Sequence, residues 1–275
     1  DFNNDYNAYA VWVTVIVNYT NANTGLEFEA GSPKTFNFLA LDGYGYFEDE
    51  VNPALSDNAL VTSDFIYVPE NTNAKIPIFA EGVGKVTVNT TDTQITDSGN
   101  TSQKIQYITV PSDSNTFKVY DTDDTTVLKT IKVVEVCEPK FTPYKVTFVN
   151  KYGAFQDLFF FKRTEEKFNV TDETHSRNIL KTTNASYDTN APQRERYNVN
   201  AGTEITLNTG FVNENYNSAI EELFLSENVW IRWEGKTLPV IAKDKKFTQK
   251  TSLNDRLINY TVNFEFAFNK INNVR

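Results

Sequence analysis

The sequence predicts a mainly β protein, in which an N-terminal domain resembling a β-sandwich precedes a C-terminal β-sandwich or barrel domain with one flanking α-helix at about 213–227. Most apolar residues occur in short alternating runs bounded by turn residues, the pattern of half-buried strands. These runs recur roughly every 8–14 residues, a spacing typical of sandwiches and barrels. Only one segment has helical periodicity. With 40% hydrophobic residues, a chain of 275 residues can bury a substantial core.

The first half, residues 1–138, is predicted to be an acidic β-sandwich domain. It opens with a long strand at 9–19. Two short apolar runs, 36–38 and 44–46, flank an Asp42-Gly43 turn and therefore predict a hairpin. The remaining strands of this half are predicted at 65–68, 76–79, 85–89, 105–110, 117–120 and 126–136.

A domain boundary is predicted near residue 139. Pro139 and Pro143 follow the last strand of the first half, and proline removes a donor from a strand ladder. The charge changes sign there: residues 1–138 carry 7 basic and 20 acidic residues (−13), and residues 139–275 carry 19 and 16 (+3). The acidic half of one subunit could face the second half of the next, or the acidity could simply maintain solubility.

The second half, residues 139–275, is predicted to combine strands with one helix and one long loop. A polar, irregular stretch at 163–200 includes a long loop at about 182–200, and loops of this length are often functional. The final strand shows strict alternation between two faces. The strands of this half are predicted at 144–149, 155–161, 205–207, 229–233, 238–242 and 257–268.

The helix is predicted from its cap and its periodicity. Asn213 is a suitable N-cap, and Glu214 lies in the first turn, where a negative charge is favourable. Apolar residues follow at helical spacing, which predicts one buried face. They are Tyr216, Ala219, Ile220, Leu223 and Phe224.

The residues that most enzymes use for nucleophilic catalysis are scarce. His175 is the only histidine and lies in a polar stretch, so we interpret it as a solvated loop residue. Cys137 is the only cysteine, which excludes a disulfide within the chain. Its neighbours Glu135 and Glu138 would raise the pKa of the thiol, so a buried or half-buried structural cysteine is favoured.

Metal sites are not predicted either. One cysteine and one histidine cannot supply a tetrahedral zinc site. The acidic segments 48–50 and 121–124 are candidates for calcium, but an EF-hand loop starting at Asp121 would place Thr126 and Lys132 where glycine and glutamate are needed. We therefore interpret 121–124 as a turn between strands.

Cofactor and sugar sites find no support in the sequence. Gly82 and Gly84 precede a strand rather than a helix, so they do not form a phosphate-binding loop. Trp230 and Trp233 are three residues apart on a strand and point to opposite faces, which favours packing over a sugar-stacking platform. We thus predict no catalytic, cofactor-binding or metal-binding residues.

Nucleic acid and membranes are not the predicted partners. The acidic first half would repel the phosphate backbone of a nucleic acid. The longest apolar run, at 10–17, is too short and too rich in β-branched residues for a transmembrane helix. The chain contains no methionine, so we expect the initiator to have been trimmed or removed with a leader.

Several segments of the second half carry a family resemblance, which covers about residues 137–275. The segments are 143–154, 207–212, 223–227 and 250–261. Together they resemble structural proteins of tailed-bacteriophage virions, most of all tail or baseplate components. The resemblance implies a non-enzymatic virion subunit that binds other virion proteins and assembles into rings, and it implies no active-site residues.

Two alternatives of other classes remain open. The same β pattern suits a secreted or cell-surface adhesin-like binding module. Paired carboxylates could also serve a β-sandwich enzyme that acts on carbohydrates, although no pair is singled out among 36 acidic residues.

Overall fold

The computed structural model describes residues 2–6, 10–20, 22–25, 33–41, 43–49, 57–97, 104–244, 246, 248–249 and 257–271. It confirms the predicted fold class: the chain is mainly β, with several sheets and one α-helix in the described residues.

Residues 57–136 form two sheets. The strands are β3 (Phe65–Pro69), β4 (Asn73–Phe79), β5 (Val83–Val88), β6 (Thr91–Gln94), β7 (Ile105–Pro111), β8 (Thr116–Asp121) and β9 (Val127–Val136). The larger sheet has the strand order β3-β9-β8-β5-β6, in which only the β3–β9 pair is parallel, and β4 pairs with β7 in the smaller one. This order is that of an immunoglobulin-type sandwich. Both sheets contribute side chains to the core, among them Ile76 and Ile78 from one and Phe117 and Ile131 from the other.

The first two strands form a ribbon of their own. β1 (Ala10–Val17) pairs antiparallel with β2 (Lys34–Leu41) along its full length. The predicted hairpin of 36–38 with 44–46 is therefore wrong, because residues 43–46 belong to no strand. The Tyr44 N–H instead donates to the Lys151 carbonyl at 2.8 Å, and a Cβ on Gly43 would lie 2.5 Å from that same oxygen. A close backbone approach, rather than a hairpin turn, accounts for this glycine.

The second half is built on a seven-stranded antiparallel sheet. Its strands are β10 (Tyr144–Val149), β11 (Phe155–Phe160), β12 (Glu165–Ser176), β13 (Arg194–Asn208), β15 (Val229–Trp233), β16 (Lys236–Ala242) and β18 (Thr261–Phe266). They are arranged in the order β11-β10-β15-β16-β18-β13-β12. The sheet curls, since the N–H groups of Phe161 and Lys162, just after β11, both donate to the carbonyl of Asn208 at the end of β13. β14 (Val212–Asn213) and β17 (Leu257–Ile258) form a separate short pair.

The predicted helix is confirmed. A 3₁₀ turn, Glu214–Tyr216, leads into α1 (Asn217–Leu225). The Asn213 side chain accepts a hydrogen bond from the Asn215 N–H at 3.0 Å, as expected of an N-cap. Ala219, Ile220 and Leu223 are fully buried against the sheet.

The stretch 163–200 is not irregular, which corrects the prediction. Residues 165–176 and 194–208 form the long β12–β13 hairpin, and the connection between them is 177–193. The predicted end of the loop at about residue 200 is therefore wrong, because residues 194–200 belong to strand β13. All twelve residues of β12 are exposed, so polar residues occupy both faces and the alternation that identifies a half-buried strand is weak.

The predicted twelve-residue final strand is interrupted. β17 and β18 are separated by Asn259 and Tyr260. The Tyr260 N–H donates to the Thr209 hydroxyl at 3.0 Å, and the Thr209 N–H donates to the Tyr260 carbonyl at 2.9 Å. The predicted apolar face is confirmed for 260–266, where Tyr260, Val262, Phe264 and Phe266 are buried, but Phe268 is exposed.

One hydrophobic cluster crosses residue 139. It contains Ile76 and Val133 of the first half together with Val146 and Phe264 of the second. The division of the chain into domains at 139 stays a prediction.

Candidate protein–protein interfaces

His175 lies on β12, not in a loop as predicted. Its side chain is exposed, its Nε2 is 3.6 Å from Glu195 Oε2, and its ring packs edge-on against Tyr197. Among the described residues, its side chain contacts Glu195 and Tyr197 and no serine or cysteine. The imidazole therefore has no neighbouring nucleophile that it could activate there.

Cys137 is exposed, so the predicted burial is wrong. It follows β9 and borders a cleft of about 520 Å³, which Glu70, Glu138, Lys145 and Arg232 also line. A hydrogen bond to Glu70 and the charge of that carboxylate raise the pKa of the thiol, with smaller contributions from Glu135 and Glu138. The sequence identified the two smaller contributions and missed Glu70, which comes from the β3–β4 turn. A raised pKa leaves less of the nucleophilic thiolate.

In the acidic turn 121–124, the carboxylates of Asp121 and Asp123 accept hydrogen bonds from residues of the turn itself. The N–H groups of Thr125 and Thr126 donate to Asp123 Oδ1 at 2.8 and 2.7 Å, and the Thr126 hydroxyl donates to Oδ2. These hydrogen bonds hold the pKa of Asp123 well below its usual range. Within the described residues, no three histidine, cysteine, aspartate or glutamate side chains come together as a metal site. Glu50, part of the other acidic cluster, lies outside the described residues.

The two tryptophans of β15 point to opposite faces, as predicted, and both pack within the chain. Trp233 stacks on Tyr144 with ring centroids 4.8 Å apart. Trp230 packs against Phe155 and against Phe2, a buried residue of the N-terminal segment. Neither ring is left as an open platform for a sugar.

The N-terminal segment 2–6 is attached to the second half. The Tyr6 hydroxyl donates to Asp157 Oδ2 at 2.5 Å, and Lys145 Nζ donates to both Tyr6 and Asn4 at 2.6 Å. Burial and the neighbouring Asp157 carboxylate raise the pKa of Tyr6. These contacts join the first residues to β10 and β11, a pairing that local sequence patterns do not reveal.

Buried polar side chains tie the two halves together. Asn150 is completely buried: its Nδ2 donates to the Leu60 carbonyl at 2.6 Å and to Gln156 Oε1 at 2.9 Å, and its Oδ1 accepts from the N–H groups of Tyr152 and Ala154. We call this contact region the junction. It comprises Leu60, Thr62 and Tyr67 of the first half and Asn150, Asn213 and Glu222 of the second.

Glu222 is the buried carboxylate of the junction, with only 1% of its surface exposed. The Thr62 hydroxyl donates to its Oε1, and the Lys151 N–H approaches its Oε2 at 3.5 Å. Burial raises the pKa of Glu222. Perturbed carboxyl groups often mark active sites, but this one is enclosed on α1 by its own hydrogen-bond donors, so its geometry supports a structural role.

The β1–β2 ribbon carries an exposed apolar face. Val13 is paired with Phe38 and Val15 with Phe36, and directly opposite residues share one face. Phe36 and Phe38 are 44% and 55% exposed, and both valines are exposed as well. A two-stranded ribbon is marginally stable alone, so an uncovered apolar face on it indicates a surface for a partner.

The β12–β13 hairpin exposes a second set of apolar residues and also a free strand edge. Phe168 and Val170 on β12 and Tyr197 and Val199 on β13 are exposed. β12 is the outermost strand of its sheet, so one side of its backbone has no strand beside it in the described chain. Sequence reasoning missed this site, although Phe168 and Val170, two residues apart, carry a short strand signal.

Comparison with models of known protein families gives no match for this chain, and comparison with curated proteins finds no similar sequence. Among the described residues, no helix has the length and apolar character needed to span a membrane.

Proposed function

We propose that this chain is a non-enzymatic structural subunit that works through protein–protein contacts made by its two exposed hairpins, β1–β2 and β12–β13. The observation that carries the proposal is the distribution of exposed apolar residues. Most of the large apolar side chains that are exposed in the described chain lie on these hairpins or in their connecting segments. Contiguous exposed apolar patches on soluble proteins mark interaction sites.

The arrangement of the ionisable side chains supports the same conclusion. Among the described residues no three histidine, cysteine, aspartate or glutamate side chains come together as a metal site, and in the cleft beside Cys137 the Glu70 carboxylate raises the pKa of the thiol rather than activating it. The proposal therefore includes no cofactor and no metal.

The resemblance of residues 137–275 to tail and baseplate proteins suggests the setting, a tailed-bacteriophage virion. In such a particle the chain would contact other virion proteins and further copies of itself. Head-to-tail contacts that close on themselves generate rings. The charge difference between the halves, −13 against +3, would favour contact between unlike halves of neighbouring subunits.

The test is mass spectrometry of purified phage particles together with light scattering of the purified chain. We expect the chain in the particles at a stoichiometry matching a symmetric ring, and purified protein that forms oligomers alone or with a virion partner. Particles without the chain, or a chain that stays monomeric with every virion protein at micromolar concentrations, would contradict the proposal.

A second candidate setting is a secreted or cell-surface binding module. The immunoglobulin-type strand order of residues 57–136 favours it, because many cell-surface domains use this sandwich. Protease treatment of intact producing cells distinguishes the two settings. Removal of the chain by external protease supports the surface module, whereas co-purification with particles supports the virion subunit.

A further inference from the structure

The outer edge of β12 is a long strand edge that nothing in the described chain covers. β12 ends the order of the seven-stranded sheet, and each of its twelve residues is exposed. A strand of this length presents a row of N–H and C=O groups that can pair with another strand. Among the described residues no second strand pairs with this edge, so it is open to a strand from another molecule.

The central residues of β12 are apolar on one face. Val170 pairs with the buried Ala201 of β13 and is itself 52% exposed, and Phe168, 53% exposed, lies two residues away on the same face. Val199, two residues before Ala201, extends this exposed patch on the neighbouring strand. A strand added beside β12 would cover these side chains as well as the backbone edge.

Symmetry restricts how two copies of β12 can pair. In an antiparallel pair of identical edge strands, the two-fold axis is perpendicular to the sheet, so both copies keep the same face toward the core. Directly opposite residues share one face. Each permitted register therefore places one β12 residue opposite its own copy.

Among the registers centred at the middle of β12, on Asn169, Val170 or Thr171, the charges favour one. With Val170 opposite Val170, Lys167 of each copy faces Glu173 of the other, and Glu165 faces His175. With Asn169 at the centre, Glu165 would face Glu173 and Glu166 would face Asp172, which gives four like-charge contacts. With Thr171 at the centre, Lys167 would face His175 and Asn169 would face Glu173, so the favourable charge pairs are lost. Like charges directly opposite each other destabilise a strand pair, and opposite charges stabilise it.

We propose that two copies of this chain bind each other through antiparallel pairing of their β12 strands, centred on Val170. The two seven-stranded sheets then form one continuous sheet. The two Val170 side chains face each other on its core-facing side, Phe168 of each copy lies diagonal to Val170 of the other, and two Lys167–Glu173 pairs fix the register on the other side.

The Glu173 carboxylate is hydrogen-bonded within its own hairpin. The Asn198 side chain donates to its Oε1 at 3.1 Å, and the Tyr197 hydroxyl also donates to it. These hydrogen bonds lower the pKa of Glu173. Lys167 lies on the same face of β12 and is exposed; within its own chain it pairs with Glu204 of β13, and its charge contributes to lowering the pKa of that carboxylate.

Charge reversal and charge exchange test the pairing by sedimentation or light scattering of the purified full chain. Lys167→Glu and Glu173→Lys should each weaken the dimer by about tenfold or more, because each change creates two like-charge contacts. The double variant K167E/E173K should restore it, because the opposite pairs re-form with their signs exchanged. Lys236→Glu, the same charge change at an exposed position of β16, is the matched control and should leave the dimer unchanged.

A cysteine placed on the symmetry axis tests the register. In a Cys137→Ser background, Val170→Cys should form a disulfide-linked dimer under mild oxidation, since a residue opposite its own copy lies within the roughly 4.4–6.8 Å Cα separation that a disulfide needs. Phe168→Cys in the same background is the control and should stay unlinked, because in this register Phe168 faces Asp172.

Three results would overturn the proposal: a monomer that no substitution alters, a dimer that survives K167E and E173K, or cross-linking through residue 168 but not 170. The first would leave the edge for a different protein, and the other two would place self-association at another surface or register. The proposal stands apart from the virion setting, because the dimer is measured on purified chain and the virion role on particles.

Discussion

At the junction, every hydrogen-bonding atom of the Asn150 side chain is paired within the molecule, whereas in the β12–β13 hairpin the outer edge of a twelve-residue strand faces solvent. Both regions are rich in polar residues. The first is enclosed and its partners come from both halves of the chain, while the second is exposed on both faces. A buried polar group that loses its partner keeps its full desolvation cost, but an exposed one exchanges its partner for water.

Because of this difference, we expect one region to determine the stability of the fold and the other to determine assembly with other subunits. Substitutions at the junction should lower the free energy of unfolding. Substitutions on the hairpins should leave it almost unchanged and alter contacts with other subunits. The following predictions test this separation, in order of decreasing effect on stability.

Asn150→Ala should have the largest effect. It leaves the Leu60 carbonyl and the N–H groups of Tyr152 and Ala154 without their buried partner, which should cost about 3 kcal/mol of unfolding free energy. Urea unfolding followed by circular dichroism measures it. Asn73→Ala, at an exposed position of β4, is the control. Equal losses for the two variants would mean that the junction contributes no more than the surface.

Tyr67→Phe should cost about 1 kcal/mol, because it removes one hydrogen bond while keeping the ring. The Tyr67 hydroxyl accepts from the Asn213 N–H at 2.6 Å, and its ring packs edge-on against Tyr216. Thermal unfolding measures the loss. Tyr120→Phe removes the same atom from a partly exposed tyrosine outside the junction. A smaller loss for Tyr67 than for Tyr120 would contradict the assignment.

Glu222→Gln should change how stability depends on pH. Because the pKa of Glu222 is raised in the folded chain, the folded chain keeps this proton to higher pH than the unfolded chain does. The contribution of the protonated carboxyl group to stability is therefore full below the ordinary pKa of 4.5, and it is lost as the pH rises through the pKa in the folded chain. The variant should therefore gain stability relative to the natural protein as the pH rises from below 4.5 to neutral. Unfolding titrations across this range measure the difference. Glu221→Gln, on the same helix, is the control, and a difference for Glu222 that does not vary with pH would argue against burial of a carboxyl group there.

Replacing both Phe36 and Phe38 by serine should change stability least, by under about 0.5 kcal/mol, since both are exposed. It should instead abolish any assembly that uses the β1–β2 ribbon, as measured by light scattering with the virion partners. Phe47→Ser, at another exposed phenylalanine outside both hairpins, is the matched control and should preserve assembly. Normal assembly of the double variant would remove the ribbon as an interface.

The second half shows which elements of the fold can be predicted from local sequence patterns and which cannot. The helix at 213–227 and the strand at 229–233 were predictable because their periodicity and caps lie within a few residues of each other. β12 was missed because a strand exposed on both faces loses the alternation that burial imposes. The break at Asn259 and Tyr260 depends on Thr209, some fifty residues earlier, so no local pattern contains it.

The candidate interfaces show the same limit. In the sequence, the apolar residues of the β1–β2 ribbon have the pattern of ordinary strand residues. Only the pairing of β1 with β2 places four of them on one exposed face, namely Val13, Val15, Phe36 and Phe38. The exposure of Cys137 beside Glu70 likewise follows from the packing of the β3–β4 turn against the segment after β9.

The sequence alone determined the mainly β class, the position of the helix near residues 213–227 and the alternation of most strands, because these follow from the spacing of apolar and turn residues along the chain. The tertiary structure decided which strands are neighbours, which polar groups are enclosed at the junction and which strand is left at the edge of the sheet. Those outcomes depend on contacts between residues far apart in the chain, where burial and hydrogen bonding across the whole molecule outweigh local preference.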